Sequence, residues 1–317
     1  MDLQPKELLE RRMRKLITDY DSWIATSKKS SPSTIRCNTL KISPEKLKSK
    51  LEARGWKLSQ PYNNKEIMRI TSDLLPGELG KAEEHLLGYF YVQDISSMMP
   101  PLALNPKPNE LILDLTAAPG SKTTQMSALM ENSGTILAND KQMNRIKILA
   151  SNLERCSCTN VIVTRHDAIQ LCQKLAKLGV KFDKILLDLA CSGEGTIRSS
   201  PKTFIMWNIK MISKLSRNQK RIASFAVPLL KDQGTLVYST CTHAPEENEE
   251  VVNFLVKNFN LKVEKLNLPI KSRPGIVKWE GSSYSPELKN CARIYPQDND
   301  TEGFFLAKMR KAEVSLK

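Results

Sequence analysis

The run Leu111–Lys122, LILDLTAAPGSK, constrains the fold more than any other stretch of the chain. An apolar segment ends at Asp114; small residues, Pro119 and Gly120 follow, then Lys122 and two threonines. That order predicts a buried strand, a tight loop and a helix start. Small side chains let backbone N–H groups come close to a ligand, and the first turn of a helix adds its positive end. A second apolar run, GTILAND, closes at Asp140, twenty residues beyond Gly120. The spacing suits a carboxylate that bonds ribose hydroxyls in a dinucleotide-type fold. The loop is not GxGxxG, and Ser121 stands where a Walker loop needs Gly before Lys. The plainer alternative is an ordinary turn between a strand and a helix.

With 317 residues, 40% of them hydrophobic, the chain can bury a sizeable core and supports two domains. No apolar run approaches the ~20 residues of a membrane span, and the acidic, polar N-terminus does not read as a signal peptide. A soluble, cytoplasmic, monomeric protein is expected. Seven cysteines without framework spacing fit free thiols in a reducing compartment. The net charge is +14, and residues 1–60 hold 14 lysines and arginines against 7 acids. Such an excess predicts a polyanionic partner, most simply nucleic acid; the alternative is a solvated surface.

Residues 5–20 read as an amphipathic helix, with Leu9, Met13, Leu16, Ile17 and Tyr20 on one face. Its basic residues, Lys6, Arg11, Arg12, Arg14 and Lys15, face either a phosphate backbone or solvent. Thr34–Ile42 reads as a strand. Ser43-Pro44-Glu45 caps a helix that runs to Gly55, and strands are expected at Trp56–Ser59 and Glu66–Thr71. Leu74–Gly80 is turn-rich and Gly88–Asp94 is strand-like. The cluster Pro100, Pro101, Pro106 and Pro108 suggests a domain boundary near residues 100–108. Beyond it, strands Leu111–Leu115, Thr135–Asp140, Val161–Arg165, Lys184–Leu189 and Thr235–Thr240 alternate with helical segments, among them Met211–Leu229 and Glu246–Phe259. This predicts an α/β fold with a doubly wound, mostly parallel sheet; late strands follow at Leu261–Leu268 and Gly303–Met309.

Asp114, Asp140, Asp167 and Asp188 all fall at or just after strand C-termini, the edge where open α/β sheets bind ligands. Asp140 is expected on ribose hydroxyls and Asp167 on an adenine amino group, whereas Asp114 shapes the loop. Cys191 lies in DLACSGEGT and Cys241 in YSTCTHAPEEN, each just past a strand. In a sheet ordered 3-2-1-4-5 those strands are neighbours, ~4.8 Å apart, so both sulfurs face one cleft beside Asp188. Paired thiols and a carboxylate suit chemistry on a pyrimidine. Carbon 5 of cytosine is a poor nucleophile; a thiolate added at carbon 6 makes it enamine-like, and an acid near ring nitrogen 3 stabilises the adduct. After transfer, a second group must remove the carbon 5 proton so that the sulfur can leave.

The chain resembles the Sun-type (Nol/Nop/Sun) RNA cytosine-5 methyltransferases, and is similar to the short archaeal-type tRNA enzymes. The likeness rests on RCNTLKI (36–42), GYFYVQDISS (88–97), DLTAAPGSKT (114–123), DLACSGEGTIR (188–198), STCTHAPEENE (239–249) and ARIYPQDNDTEGFF (292–305). It implies a Rossmann-like methyltransferase domain over residues 106–317. It also implies a small N-terminal α+β, RRM-like RNA-binding domain within residues 1–105. It further implies S-adenosylmethionine held by Thr116, Ala117, Ala118, Pro119, Gly120, Ser121 and Lys122, with Asp140, Arg145, Asp167 and Asp188 around it. By the same resemblance Cys241 is the nucleophile, Cys191 releases product, and the partner is RNA; spacing predicts no metal, and the lack of a long apolar run predicts no membrane. On this reading the enzyme makes 5-methylcytosine in tRNA; methylation of ribosomal RNA and a non-catalytic RNA-binding role are the rivals.

Three positions depart from the family pattern. Ala190 replaces the usual Pro before Cys191 and frees the backbone there. Ser121 replaces the second Gly of Ala-Pro-Gly-Gly-Lys, and Gln297 stands where a His often follows the late Pro. His243 either assists Cys241 or bonds locally. Lys122 reaches either the methionine carboxylate or an RNA phosphate. Arg198, Lys202 and Trp207 are candidates to line an RNA cleft, Trp207 equally a core residue. Cys156, Cys158, His166 and Cys172 match no structural zinc spacing. Cys37 and Cys291 read as packing residues, and Glu246, Glu247, Glu249 and Glu250 as favouring a helix N-terminus.

Overall fold

A computed structural model describes residues 6–313. Helices α1 (Glu7–Leu16) and α2 (Tyr20–Ser27) come first; the expected helix start at residue 5 lies outside the described residues. Strand β1 (Thr34–Cys37), helix α3 (Pro44–Ala53), and strands β2 (Leu58–Ser59) and β3 (Ile67–Ile70) follow. Two short helices, α4 (Glu78–Lys81) and α5 (Glu83–Leu86), precede β4 (Phe90–Val92). The four strands form an antiparallel sheet in the order β2-β3-β1-β4. Helix α3 starts as the sequence predicts: the Ser43 side chain accepts a hydrogen bond from the Lys46 N–H, and Pro44 takes the first turn. Strand β1 is shorter than expected. The Asn38 amide turns the chain by donating to the Gly88 and Cys156 carbonyls, both at 2.9 Å.

The prolines at 100 and 101 do not mark a linker. They open α6 (Met99–Leu104), whose Met99, Ala103 and Leu104 are buried against the larger sheet. That sheet is built from β5 (Leu111–Asp114), α7 (Ser121–Leu129), β6 (Thr135–Asp140), α8 (Met143–Arg155), β7 (Val161–Arg165), α9 (Ala168–Lys177) and β8 (Phe182–Asp188). Helices α10 (Thr203–Met206) and α11 (Ile209–Ala226), strand β9 (Leu230–Thr240) and α12 (Glu249–Asn258) continue it. Its parallel part runs β7-β6-β5-β8-β9, the predicted 3-2-1-4-5 order. Helices cover both faces, so β5 and β8 read as near-continuous apolar runs.

The chain ends on elements the sequence reading resolved only in part. Strand β10 (Leu261–Glu264) pairs with the last strand. Strand β11 (Arg273–Pro274), a hairpin of β12 (Lys278–Trp279) and β13 (Ser282–Ser283), strand β14 (Ala292–Ile294) and helix α13 (Pro296–Asn299) lead to β15 (Phe304–Lys311). β15 joins β9 antiparallel and closes the sheet toward β14 and β11. The apolar face of α1 and α2 does not pack on the small sheet. Leu9, Met13, Ile17 and Trp23 bury themselves against Phe204, Trp207, Ile212 and Tyr295.

Candidate active site

The register of β8 with β9 builds the site. Asp188 lies opposite Ser239, so Cys191, three residues on, and Cys241, two residues on, leave adjacent strand tips. Their sulfurs stand 3.1 Å apart, within hydrogen-bonding range for thiols, and both cysteines are free. The shared hydrogen bond with Cys241, together with burial, pushes the Cys191 thiol well above its usual range. Cys191 is therefore held in its thiol form. Both face a cleft of ≈ 680 Å³ that Asp94, Ser97, Lys122, Asp188 and Phe304 also line. Asp188 accepts from the Ser239 hydroxyl at 2.8 Å, and its other oxygen lies 2.7 Å from Lys122 Nζ. Neither expected partner of Lys122 is needed to explain its place: the ammonium pairs with Asp188, touches Ser97 Oγ at 3.1 Å and sits over the Phe304 ring. Phe304, Asp94 and Ser97 were not found from the sequence; the polar-aromatic runs QDISS and EGFF were the only signal.

The loop between β5 and α7 turns on Gly120, at φ +104, a conformation that suits glycine. A Cβ there would meet Leu149 Cδ1 at 2.9 Å. Thr116, Ala118, Pro119, Ser121 and Lys122 line the cleft, and Ala117 joins them around a recess of ≈ 30 Å³ beneath the loop. Thr116 and Arg145 also border an adjoining hollow of ≈ 230 Å³ that contains Asp140, His166 and Asp167. Asp140 is buried, and its Oδ2 accepts no hydrogen bond although Arg145 Nη1 lies 3.1 Å away. An acceptor left open in this way fits a ligand diol. Arg145 in turn donates to the Ala118 carbonyl. Asp167 caps α9, accepting from the Ile169 N–H at 3.1 Å, and lies 3.2 Å from Lys141. Burial pushes its carboxyl up, but Lys141 and the first amides of α9 outweigh this and hold it below the usual range. Asp114 faces inward, takes the Thr123 hydroxyl at 2.7 Å, and burial pushes it up to about 7. The nucleoside-sized hollow and the larger cleft thus meet at Thr116 and Arg145, so one elongated ligand can span both.

Several other candidates lie elsewhere. His243 is buried, bonds Trp23 Nε1 at 3.4 Å and stacks on Tyr295; burial lowers its pKa to about 3, so it stays neutral in the core. Trp207 is a core residue whose indole N–H donates to Glu194 at 2.6 Å. Arg198 is buried and holds the Lys29, Ser30 and Thr301 carbonyls, so it does not line a cleft. Lys202 is exposed and outside the cleft. Gln297 donates to Asp19 at 3.1 Å. Only Glu249 and Glu250 lie in the first turn of α12. Glu246 pairs with Arg12, Glu249 with Arg293, and Glu247 is buried beneath the Cys191 loop. Cys37 and Cys291 pack in the cores. Among the described residues no group of three metal-ligating side chains is present, and no helix is long and apolar enough to cross a membrane.

A doubly wound sheet with a hollow at strand tips 1 to 3 and a thiol pair at strand tips 4 and 5 places both at the carboxyl edge, where open α/β sheets bind ligands. Residues 101–310 match the family model described as 16S rRNA methyltransferase RsmB/F, and the chain belongs to that family of S-adenosylmethionine-dependent methyltransferases. It is similar to the tRNA (cytosine(49)-C(5))-methyltransferase of Pyrococcus abyssi, with 44% identity over 96% of each chain. It is also similar to the ribosomal RNA small subunit methyltransferase F of Vibrio atlanticus, with 37% identity over 92% of this chain and 60% of that longer protein. The structure resembles a solved methyltransferase homologue from Pyrococcus horikoshii, with TM-score 0.86, 35% identity and coverage of 98% of this chain and 96% of that one.

Proposed function

We propose that this protein methylates carbon 5 of cytosine in tRNA, acting as a cytoplasmic monomer through a covalent cysteine–pyrimidine adduct. The observation that carries the mechanism is the 3.1 Å contact between Cys191 and Cys241 beside Asp188 in one open cleft. The tRNA assignment follows the relative of 44% identity, against 37% for the small-subunit enzyme. Thr116–Lys122, Asp140, Arg145 and Asp167 would hold S-adenosylmethionine, with the open Asp140 oxygen on its ribose and Asp188 at the boundary with the base. That cofactor, when bound, supplies an electrophilic methyl group.

In this mechanism the Cys241 thiolate bonds to carbon 6, and the carbon 5–carbon 6 π pair moves to carbon 5. Asp188, held by Lys122 and Ser239, passes a proton to ring nitrogen 3 as negative charge spreads there, and takes it back when the adduct collapses. Carbon 5 takes the methyl group. Cys191, its neighbour now a thioether, gives its thiol proton to water and then accepts the proton from carbon 5. The C–H pair restores the ring double bond, and the carbon–sulfur pair returns to Cys241. One proton leaves per turnover. The target must be unpaired or flipped out for a sulfur to reach its ring face. The small sheet, with its β-α-β-β-α-α-β order and β2-β3-β1-β4 pairing, supports an RRM-like role for the part within residues 1–105: it holds the RNA backbone while residues 106–317 do the chemistry.

Incubation with methyl-labelled S-adenosylmethionine and either bulk tRNA or 16S ribosomal RNA tests this reading. Label at carbon 5 of tRNA cytosine is expected. Label in ribosomal RNA alone supports the other substrate, and no label in either overturns the assignment.

A further inference from the structure

Helix α11 turns a buried face toward the Cys191 loop. Gln219, 1% exposed, donates through Nε2 to the Ala190 carbonyl at 2.9 Å and to Glu247 Oε2 at 2.9 Å. Glu247, fully buried, accepts the Ser192 N–H on both carboxylate oxygens, at 3.1 and 3.3 Å. The peptide units on either side of Cys191 are therefore held by one side-chain pair. One further bond ties that pair to β9 and another ties the loop to the residues just past it. The Tyr238 hydroxyl donates to the Glu247 carbonyl at 2.5 Å, and the Ser192 and Thr242 hydroxyls share a bond at 2.7 Å.

Stability alone is a poor account of this arrangement. Burial pushes the Glu247 carboxyl up to about 7, so keeping it there costs free energy that an apolar residue of the same size would not. Gln219 Oε1 is buried with no partner, a second cost at the same point. The ends of the loop are pinned by the Leu189 N–H on the Ser239 carbonyl at 3.3 Å and the Gly195 N–H on the Cys241 carbonyl at 2.9 Å, and the peptide units flanking Cys191 are held by the Gln219–Glu247 pair. Ala190 is exposed with an unrestricted φ, and Gly193 follows at φ +75. Cys191 must nevertheless reach carbon 5 of a base whose carbon 6 is bonded to Cys241.

We propose that Gln219 and Glu247 form a clamp that aims the Cys191 sulfur, and that resolution of the cytosine adduct depends on it more than adduct formation does. They are positioning residues, acting through the Ala190 carbonyl and the Ser192 N–H. The proposal rests on the function set out above and names a determinant of its last step. Cys241 follows directly from β9 and attacks without such support; Cys191 does its work from the loop.

The test uses the full chain, an unmodified tRNA transcript and S-adenosylmethionine, with rapid quench onto a denaturing gel. Formation and decay of the protein–RNA adduct are timed separately. Gln219→Leu removes both donors at similar volume, and decay is expected to slow about tenfold, at least fivefold more than formation. Glu247→Gln keeps the shape and one acceptor, and it covers the case in which the first variant fails to fold; the same step should slow about threefold. Equal slowing of formation and decay, or unchanged decay in a folded variant, overturns the clamp. Absence of any adduct in the unaltered protein overturns the function itself, which keeps the two failures apart.

Discussion

Cys191 and Cys241 share a contact but occupy different chemical settings. Cys191 is a raised thiol on a loop, and Cys241 follows directly from β9. Replacing each alone separates the steps. Cys191→Ala should accumulate a covalent RNA adduct on a denaturing gel, whereas Cys241→Ala should form none; the reverse pattern would exchange their roles. Asp114 makes a second residue-scale prediction. Burial raises its folded pKa to about 7, above the ~3.9 of an unfolded chain. The folded state then binds the proton more tightly, so its contribution is most favourable below pH ~4, is lost as pH rises to about 7, and is level beyond. Glu247 acts with the same sign over the same window. Asp19, lowered to about 2 by the Arg273 guanidinium, adds stability that is lost only below pH ~4. Asp114→Asn keeps an acceptor for Thr123 and should flatten the slope between pH 4 and 7, stabilising the protein at pH 7.5 by on the order of 2 kcal/mol. Thermal melts at pH 5 and 8 check it; parallel pH slopes for the two proteins would sink the argument.

At the scale of elements, α1 and α2 matter because of where they pack. The basic residues of α1 were expected to face either a phosphate backbone or solvent; Arg12 does neither, being 5% exposed and paired with Glu246 at 2.8 Å. Met13 is fully buried in the cluster that includes Phe204 and Trp207, just beyond the Cys191 loop. Met13→Ala should cost about 2–5 kcal/mol in urea unfolding, with an unchanged m-value. A loss under 1 kcal/mol would mean that the helix is not part of the cooperative core. The amphipathic period of this helix was legible in the sequence, because Leu9, Met13 and Ile17 recur at helical spacing. Its partner was not, because periodicity states that a face is buried and says nothing of what buries it. The same limit explains α6. Paired prolines signal a break in local terms, but their rings also suit a helical first turn, and only the sheet beneath decides between the two.

For the whole molecule, part of the charge excess lies along one element. Along α11, Lys210, Lys214, Arg217 and Arg221 are exposed, and no ion pair engages them among the described residues. With six to ten phosphates neutralised, log K for tRNA should fall against log salt with a slope of about −5 to −9. Filter binding between 50 and 200 mM salt measures it, and a slope shallower than about −2 would remove the electrostatic reading.

The strand order, the tight loop with Gly120, the cap at Ser43, and the two cysteines at neighbouring strand tips were set by the sequence itself. Each follows from a local rule of period, turn chemistry or chain order. The tertiary structure alone decided the rest. It paired Lys122 with Asp188, sank Glu247 and His243 into the core, and laid the N-terminal helices across the catalytic sheet. Those outcomes turn on burial and on partners distant in the chain, and no local pattern encodes the dielectric or the neighbour that a charged side chain will meet.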